Sequence, residues 1–376
     1  MYSKIKVLHI GMTPNFGGVE AYVMNLYRNI DKRKVQFDFI DWYANKNIAY
    51  TEEIKRLGGK IYKIQSRRRS PISNFSQLNS IIRQGNYQYI YYNVNSLSDT
   101  TGMKSVLNLS NTKLIVHAHN DHIELNKPFT LIFHMLHKYF MKQNIIRLAC
   151  SDNAGKWMFG NNQFTVIPNA IDVDKYKFNA DVRLSYRKKI SVGSKTVYGC
   201  VARFSPQKNH DFLIKIFSEI YRKDNDSLLL LIGDGQLKKN LKQQVENLNL
   251  NSAVKFLGMR GDINNLLQTV DVMIAPSLFE GFGISVLEAQ CAGVSCYVSD
   301  AFNDEVMQTP LIKKVPLSQS AEQWANQILL GQKNVKESKR KSHDVEIEKN
   351  GYSTNSMVVK MEQIFDDNLK NKENNW

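Results

Sequence analysis

Apolar and polar positions follow two different periods along this chain. Short, mostly apolar runs, such as Ile5–Ile10, Lys113–Ala118 and Ser227–Ile232, are separated by longer segments, such as 19–29 and 129–142. In these longer segments apolar residues recur every three or four positions, which is typical of helices packed on one face. Strands that alternate with helix-length segments indicate a parallel sheet covered by helices on both faces. The pattern therefore predicts a doubly wound α/β fold.

The alternation restarts after the stretch VIPNAID at 166–172, and 376 residues exceed the usual span of one hydrophobic core. We therefore predict two Rossmann-like domains, 1–168 and 169–352, hinged near 168–172. The last segment, STNSMVVKMEQIFDDNLK, has helical periodicity. Ligands of such sheets bind beyond the carboxyl ends of the strands, so two facing domains would place a ligand in the cleft between them.

Composition narrows the class of protein. Hydrophobic residues make up 43% and charged residues 23% of the chain, as in ordinary globular proteins. The four cysteines form no CxxC pair and lie in apolar or small-residue runs, which predicts reduced, buried thiols in a cytosolic protein. The N-terminal apolar run is too short for a signal-peptide core, and no run is long enough to span a membrane.

The net charge of +15 is unevenly distributed. Residues 1–168 hold 22 Lys and Arg against 10 Asp and Glu, a net charge of +12, whereas the remainder carries only +3. A basic half favours an anionic partner such as nucleic acid, a lipid surface or a phosphorylated substrate. A generally basic composition without a specific partner is the alternative.

Two carboxylates flank a glycine turn in the stretch SLFEGFGISVLEAQCAG. Glu280 is predicted to lie in the loop after a buried strand, and Glu288 in the first turns of the following helix. Glycines allow a ligand to approach the backbone closely, and the free N–H groups of a helix start favour an anion. Helix capping by both glutamates is the structural alternative.

A second strand, turn and helix, YGCVARFSPQKNHDFLIKIF, carries Arg203 and Lys208 at the carboxyl end of a strand. Two fixed cations beside a helix N-terminus are suited to a diphosphate, although surface lysines and arginines without a ligand are common. The glycine pair Gly17–Gly18 and the GDG at 233–235 are weak signals taken alone.

The stretch HAHNDH contains His117, His119, Asn120 and Asp121 at the end of a predicted strand. It fits the HxHxDH pattern of metallo-β-lactamase-like zinc hydrolases, because neutral imidazoles are good zinc ligands. That alternative requires more metal ligands downstream, whereas the later histidines lie in helix-like or charged contexts. The other interpretation is a single histidine that contacts a substrate.

Taken in order, these motifs resemble the family-4 retaining glycosyltransferases of the GT-B fold. The resemblance rests on the Gly17–Gly18 loop, HAHN, VIPNAID, Arg203 with Lys208, LLIGDG, VKFLGMRGDI and PSLFEGFGISVLEAQCAG. The stretches CYVSDAFNDEV and AEQWANQI further resemble bacterial enzymes that build capsular or exopolysaccharide repeat units.

The resemblance implies a role for each matching residue. Glu288 is expected to bind the nucleotide ribose, Glu280 the donor sugar, and Arg203 with Lys208 the diphosphate. The expected donor-site residues further include Gly17, Gly18, Met259, Arg260, Gly281, Phe282 and Gly283. His119 is expected near the donor hexose, with His119, Glu280, Arg203 and Lys208 as the catalytic set. The C-terminal helix, 353–376, is expected to pack back on the first, acceptor-binding domain.

The implied reaction is transfer of a hexose or N-acetylhexosamine from a nucleotide sugar, expected to be UDP-linked, with retention at the anomeric carbon. The expected acceptor is a lipid-linked glycan in cell-surface polysaccharide biosynthesis. No metal and no cofactor are expected, because the two cations replace a divalent ion and no DxD-type acidic pair lies near the donor. The alternatives are a sugar-nucleotide epimerase on the same fold, a non-catalytic partner subunit and the zinc hydrolase.

Two basic segments suggest an anionic membrane surface, rather than nucleic acid, as a further partner. Arg67, Arg68 and Arg69 follow a predicted strand and are expected to bind the acceptor. The segment KPFTLIFHMLHKYFMKQ combines Lys127, Lys138 and Lys142 with many apolar residues. Its apolar face either packs on the sheet or lies on an anionic bilayer. We expect a cytoplasmic enzyme held peripherally on the inner face of the membrane.

Overall fold

The computed structural model describes residues 4–98, 100–106, 109, 111–120, 128–138, 141, 145–280, 282–335 and 340–373. The chain divides into two compact units. Unit 1 comprises residues 1–170 and 354–376, and unit 2 comprises residues 171–353. The division after residue 170 falls two residues beyond the boundary expected from the sequence.

Unit 1 is a parallel sheet of seven strands in the order β3-β2-β1-β4-β5-β6-β7. The strands are β1 Ile5–Ile10, β2 Val35–Asp41, β3 Ile61–Lys63, β4 Tyr89–Val94, β5 Lys113–Ala118, β6 Ile146–Ala149 and β7 Thr165–Val166. The helices between them are α1 Gly18–Asn29, α2 Thr51–Arg56, α3 Pro71–Gln84, α4 Thr101–Val106, α5 Pro128–His137 and α6 Asp152–Phe159.

Unit 2 is a parallel sheet of six strands in the order β10-β9-β8-β11-β12-β13. The strands are β8 Thr196–Val201, β9 Ser227–Ile232, β10 Val254–Gly258, β11 Val272–Ala275, β12 Ser295–Ser299 and β13 Ile312–Val315. The helices are α7 Val173–Tyr176, α8 Ala180–Lys189, α9 His210–Lys223, α10 Lys238–Asn247, α11 Ile263–Thr269, α12 Ile284–Cys291, α13 Ala321–Val335 and α14 Asp344–Lys349. Short 3₁₀ helices lie at Pro206–Lys208 and Asp304–Val306.

The C-terminal helix α15, Thr354–Glu373, belongs to unit 1. Its Met361 and Phe365 are fully buried in the apolar cluster formed by α1 and one face of the first sheet. The Tyr89 hydroxyl donates a 2.8 Å hydrogen bond to the Phe365 carbonyl, which fixes the helix along its length. The Asn25 side-chain amide of α1 donates hydrogen bonds to the Ala170 carbonyl and to the Thr354 hydroxyl. Asn25 therefore connects the residue at which the chain leaves unit 1 with the residue at which it returns.

Each sheet has one point at which the strand order reverses. In unit 1 this point lies between β1 and β4, and in unit 2 it lies between β8 and β11. The loops that leave the two strands there run in opposite directions and open a crevice at the carboxyl edge, where doubly wound folds bind ligands. The predicted doubly wound architecture is confirmed in both units, and each unit therefore has one crevice at which a ligand is expected.

Two further expectations from the sequence concern the cysteines and membrane-spanning helices. All four cysteines are free and buried, as predicted. Among the described residues, no helix has the length and apolar character needed to cross a membrane.

Candidate functional site

In unit 2 the loops after β8 and β11 are joined by hydrogen bonds into one rigid structure. The Leu278 N–H donates to the Gln207 carbonyl at 2.8 Å, and the Gln207 side-chain amide donates to the Phe279 carbonyl at 3.0 Å. The Asn209 amide donates to the Pro276 carbonyl at 3.0 Å. Residues 67 to 72 positions apart in sequence are therefore held side by side at the crevice.

An ion pair between Lys208 and Glu280 lies in this pair of loops. Both side chains are largely buried, with 21% and 13% of their surfaces exposed. The Ser277 hydroxyl lies 3.5 Å from Glu280 Oε2, and the Ser299 hydroxyl donates to the Ser277 carbonyl at 2.6 Å. A predicted sugar-binding carboxylate and a predicted phosphate-binding cation thus contact each other directly, so an anionic ligand at Lys208 shares that cation with Glu280.

Arg203 lies in the same loop and is exposed. The GDG motif packs closely against the backbone of this loop. This packing is possible because its glycines have no side chain that would collide with the loop. A Cβ atom on Gly233 would lie 2.1 Å from the Ala202 carbonyl oxygen, and one on Gly235 would lie 2.5 Å from the Phe204 carbonyl oxygen. The motif, a weak signal in the sequence, therefore has a packing role beneath the predicted phosphate-binding loop.

The glycine turn before α12 is held in a conformation that few other residues adopt. Gly283 is the N-cap of the helix with φ of +78°, and a Cβ atom there would lie 2.5 Å from the Phe302 ring. Phe282 stacks on Tyr352 with ring centroids 5.3 Å apart. The turn therefore presents the first N–H groups of α12 at the carboxyl edge of the sheet. Gly281 lies outside the described residues.

Glu288 lies on α12 in a largely enclosed environment. Burial raises the pKa of its carboxyl group to about 7, although the Tyr176 hydroxyl hydrogen-bonds to it and Lys175 lies nearby, both of which favour the charged form. Tyr176 ends α7, and its own pKa is raised by burial and by the charge of Glu288. At neutral pH the carboxyl group is therefore divided between its charged and neutral forms, which is unusual for a glutamate.

Met259 and Arg260 follow β10, the edge strand of the second sheet. Met259 is 76% exposed, and Arg260 forms a 2.6 Å ion pair with Asp262 that raises the pKa of the guanidinium group. The Tyr186 hydroxyl donates to the same carboxylate at 3.2 Å. These contacts hold the segment at the edge of the sheet, while the apolar Met259 side chain stays exposed. Both features are compatible with the base-binding role that the resemblance implies.

In unit 1 the Gly17–Gly18 loop is organised by a residue that the sequence analysis missed. Glu20 is buried, and its carboxylate accepts hydrogen bonds from the Thr13 N–H at 2.9 Å, the Thr13 hydroxyl at 2.7 Å and the Gly17 N–H at 3.1 Å. The spacing from Gly17 to Glu20 is that of a capping box, so this signal was present in the sequence. Glu20 therefore fixes the loop that is expected to lie beside the donor phosphates.

His119 is held by Asn93 at the reversal point of the first sheet. Its Nε2 lies 3.0 Å from Asn93 Oδ1, and the Asn93 amide in turn lies 3.4 Å from His9 Nδ1. Burial lowers the pKa values of His119 and His9 to about 3, so both rings are neutral at physiological pH. Because an amide oxygen only accepts hydrogen bonds, Nε2 of His119 carries the proton and Nδ1 is the acceptor.

His117 has a structural environment instead. It is fully buried, its Nδ1 lies 2.7 Å from the Tyr91 hydroxyl, and its ring centroid lies 4.2 Å from that of His119. Within the described ranges, no three His, Cys, Asp or Glu side chains are grouped as metal ligands. Asp121, the third member of the HAHNDH pattern, lies outside the described residues.

The two basic segments of unit 1 are the arginine turn at 67–69 and the segment around α5. Arg67, Arg68 and Arg69 form an exposed turn after β3, the edge strand of the sheet. In the other segment, the apolar side chains of α5 are exposed rather than packed on the sheet. Lys127 and Lys142 lie outside the described residues.

Comparison with known proteins identifies the family. The model of glycosyl transferases group 1 matches residues 182–337, and that of glycosyltransferase family 4 matches residues 16–175. The putative glycosyltransferase EpsF of Bacillus subtilis is 31% identical over 337 residues, which is 87% of each chain. The chain belongs to the family-4, group 1 glycosyltransferases.

Two further proteins are similar to this glycosyltransferase, one in sequence and one in fold. It is 27% identical, over 80% of each chain, to the Escherichia coli UDP-Gal:alpha-D-GlcNAc-diphosphoundecaprenol alpha-1,3-galactosyltransferase. Its fold matches that of Anabaena HepE, solved in complex with UDP, with a TM-score of 0.78 over 97% of this chain and 100% of that chain at 17% identity. The GT-B architecture predicted from the sequence is confirmed. A sugar-nucleotide epimerase is not favoured, because the family and these relatives are transferases.

Proposed function

We propose that this glycosyltransferase transfers a hexose or N-acetylhexosamine from a UDP-linked sugar to a lipid-linked glycan acceptor, with retention of anomeric configuration. The donor class is supported by the UDP named for HepE, and the acceptor class by the lipid-linked substrate named for the E. coli relative. The observation that carries the proposal is the ion pair of Lys208 and Glu280 at the reversal point of the second sheet, close to the start of α12 and in the same pair of loops as Arg203.

The diphosphate leaving group gains negative charge as the glycosidic bond breaks. Lys208, Arg203 and the first N–H groups of α12 stabilise that charge. Lys208 is fixed before the reaction, because the two loops are hydrogen-bonded together and Glu280 pairs with it. Loss of one preorganised donor to a developing anion typically costs about 3–4 kcal/mol in transition-state stabilisation. In this proposal no divalent metal and no cofactor take part, because the protein supplies the counter-charge itself.

Retention follows from attack on the same face from which the diphosphate departs. The acceptor oxygen forms a bond to the anomeric carbon, the bond from that carbon to the phosphate oxygen breaks with its electron pair, and the acceptor proton passes to the departing phosphate. His119 is not a general acid in this scheme, since burial lowers its pKa to about 3. Its Nδ1 instead accepts a hydrogen bond from a hydroxyl group of the donor hexose.

The remaining roles are assigned from the family resemblance. Glu288 binds the ribose hydroxyls, Met259 and Arg260 the base, and Gly17 with Gly18 the donor phosphates. Arg67, Arg68 and Arg69 meet the diphosphate of the acceptor lipid. The enzyme works in the cytoplasm at the inner face of the membrane, in cell-surface polysaccharide biosynthesis, with no nucleic-acid partner.

A donor screen tests the proposal. Purified enzyme is incubated with each of several UDP-sugars and with a polyprenyl-diphosphate-linked N-acetylhexosamine, with and without EDTA. We expect a disaccharide lipid with an α linkage by NMR, undiminished by EDTA, and a rate reduced at least about 100-fold in Lys208→Ala. Lys215→Ala is the matched control, because Lys215 forms an ion pair with Asp211 on the surface of α9.

Three results would contradict the proposal. They are a β-linked product from an α-linked donor, loss of transfer with EDTA that zinc restores, and an equal loss of rate in both lysine variants.

A further inference from the structure

The two stretches of chain at the ends of unit 2 are paired with each other. We call residues 170–172 and 352–354 the crossing segments, because unit 2 begins at Ile171 and ends at Ser353. The Ile171 N–H donates a 3.0 Å hydrogen bond to the Tyr352 carbonyl, and Ile171 forms a parallel bridge with Ser353. The amide of Ile171 is therefore a direct probe of whether the crossing segments are held together.

The side chain of Tyr352 reaches from this pair of segments to the glycine turn before α12. Its ring lies face to face with that of Phe282, with a centroid distance of 5.3 Å and 6° between the ring planes. The Phe302 ring occupies the space that a side chain on Gly283 would need. Aromatic packing thus fixes the turn, which begins the helix whose first N–H groups are proposed to bind the diphosphate.

A second tyrosine connects the other crossing segment with the same helix. Helix α7 begins directly after Asp172, which is its N-cap, and it ends at Tyr176. The Tyr176 hydroxyl hydrogen-bonds to Glu288 on α12, and the Val173 carbonyl oxygen lies 3.6 Å from Cys291 Sγ at the end of α12. Each crossing segment is thus followed or preceded by contacts to the helix that carries the proposed ribose-binding carboxylate.

We propose that Tyr352 is a positioning residue for the donor and that it couples occupancy of the donor site to the pairing of the crossing segments. The inference rests on the proposed function, because it takes the glycine turn before α12 as part of the UDP-sugar site. A ligand that fixes the turn also fixes Phe282, and the stacked Tyr352 ring then holds the crossing segments more firmly. Coupling between two sites is reciprocal, so a change in the turn must affect the segments and a change in the segments must affect donor affinity.

Hydrogen exchange of the full chain without any ligand tests the coupling from the turn to the crossing segments. In Phe282→Leu we expect the Ile171 amide to exchange about three- to tenfold faster, which corresponds to the loss of one aromatic pair. Tyr221→Leu is the matched control, because it removes a half-buried tyrosine that packs on Phe217 elsewhere in unit 2. This control should leave the exchange of the Ile171 amide unchanged.

Calorimetry with UDP-glucose tests the coupling in the opposite direction. The dissociation constant of Tyr352→Leu should be about three- to tenfold higher than that of the wild type. Tyr352→Phe keeps the ring and should bind UDP-glucose as the wild type does. UDP-glucose should also slow the exchange of the Ile171 amide in the wild type and in Tyr352→Phe, but not in Tyr352→Leu.

Two equalities would overturn the inference: the same exchange of the Ile171 amide in Phe282→Leu and the wild type, or the same affinity for UDP-glucose in Tyr352→Leu and the wild type. An equal loss of affinity in Tyr352→Phe would assign the effect to the hydroxyl group and overturn the role of the ring. A wild-type protein that does not bind UDP-glucose would contradict the proposed donor instead, and the exchange measured without ligand would then decide the inference by itself.

Discussion

The raised pKa of Glu288 predicts that donor binding is coupled to proton release. Burial raises the pKa of this carboxyl group from 4.5 to about 7. A ribose that donates its hydroxyls to Glu288 binds the charged form, so binding must remove the proton wherever the free protein holds it. From a pKa of about 7, the free protein holds about 0.9 proton at pH 6, about 0.5 at pH 7 and about 0.1 at pH 8.

The affinity for the donor should therefore rise with pH and level off above pH 8. The fraction of charged Glu288 increases about tenfold from pH 6 to pH 8, so the dissociation constant should fall by about the same factor. UDP-glucose is a suitable probe, because its diphosphate has no ionisation between these pH values, unlike the terminal phosphate of UDP. Calorimetry in two buffers of different ionisation enthalpy counts the released protons directly.

The variant Glu288→Gln is the decisive control. Its affinity should be weaker than that of the wild type at pH 8 by about 1.5–3 kcal/mol, since hydrogen bonds to a charged group are lost, and it should not depend on pH through this site. Glu322→Gln, on the surface of unit 2, should behave as the wild type. Equal pH dependence in the wild type and in Glu288→Gln would show that another group is responsible and would refute the assignment.

The same carboxyl group affects stability. Because its pKa is raised in the folded protein, the folded state holds a proton that the unfolded state has lost between pH 4.5 and about 7. Stability therefore falls as the pH rises through this window, and the maximal loss from a shift of this size is about 3 kcal/mol. The folded protein is thus less stable when Glu288 is charged. Hydrogen bonds from a bound ligand would offset this loss in the free energy of unfolding.

Three further predictions follow from individual contacts. Gly283→Ala should lower the melting temperature and weaken UDP-glucose binding, because the left-handed φ and the close ring disfavour a side chain, whereas Gly261→Ala, with open space around it, should change neither. Asn93→Leu should lower kcat more than KM, because His119 loses the acceptor that fixes its Nε2–H tautomer. The ¹⁵N chemical shifts of labelled histidine should then show a mixture of tautomers for His119. An unchanged tautomer would contradict the role of Asn93. Glu20→Ala should destabilise unit 1 by about 1–3 kcal/mol by chemical denaturation, because the part-buried N–H groups of Thr13 and Gly17 lose their acceptor. No change would show that water replaces the carboxylate.

The strands of both sheets could largely be predicted from local pattern. The predicted bounds of β1, β5 and β9 agree with the structure, because these runs are apolar and end at polar or glycine-containing loops. The strand β13, Ile312–Val315, was missed because two lysines lie between its apolar ends, as is common at a sheet edge. Local pattern therefore misses a strand whose interior positions are charged.

The pairing of Lys208 with Glu280 could not be predicted from spacing. These residues are 72 positions apart, and they meet only because β8 and β11 are neighbours at the point where the strand order reverses. The orientation of α5 is a similar case. Its composition left two alternatives open, and only the contacts of His134 with Trp157 and Leu97 exclude packing of the apolar face on the sheet.

The charges of the unit 2 site explain how two glutamates are compatible with a diphosphate ligand. If both carboxylates were charged and unpaired, they would offset the two cations and repel the ligand. Glu280 is instead paired with Lys208, and burial keeps Glu288 about half neutral at pH 7. Arg203 is exposed, and no carboxylate in the described part of the chain forms an ion pair with it. The crevice therefore keeps a positive charge for the first encounter with a diphosphate. In the proposed function the sugar and the ribose add hydrogen bonds to carboxylates that Lys208 and Tyr176 already contact.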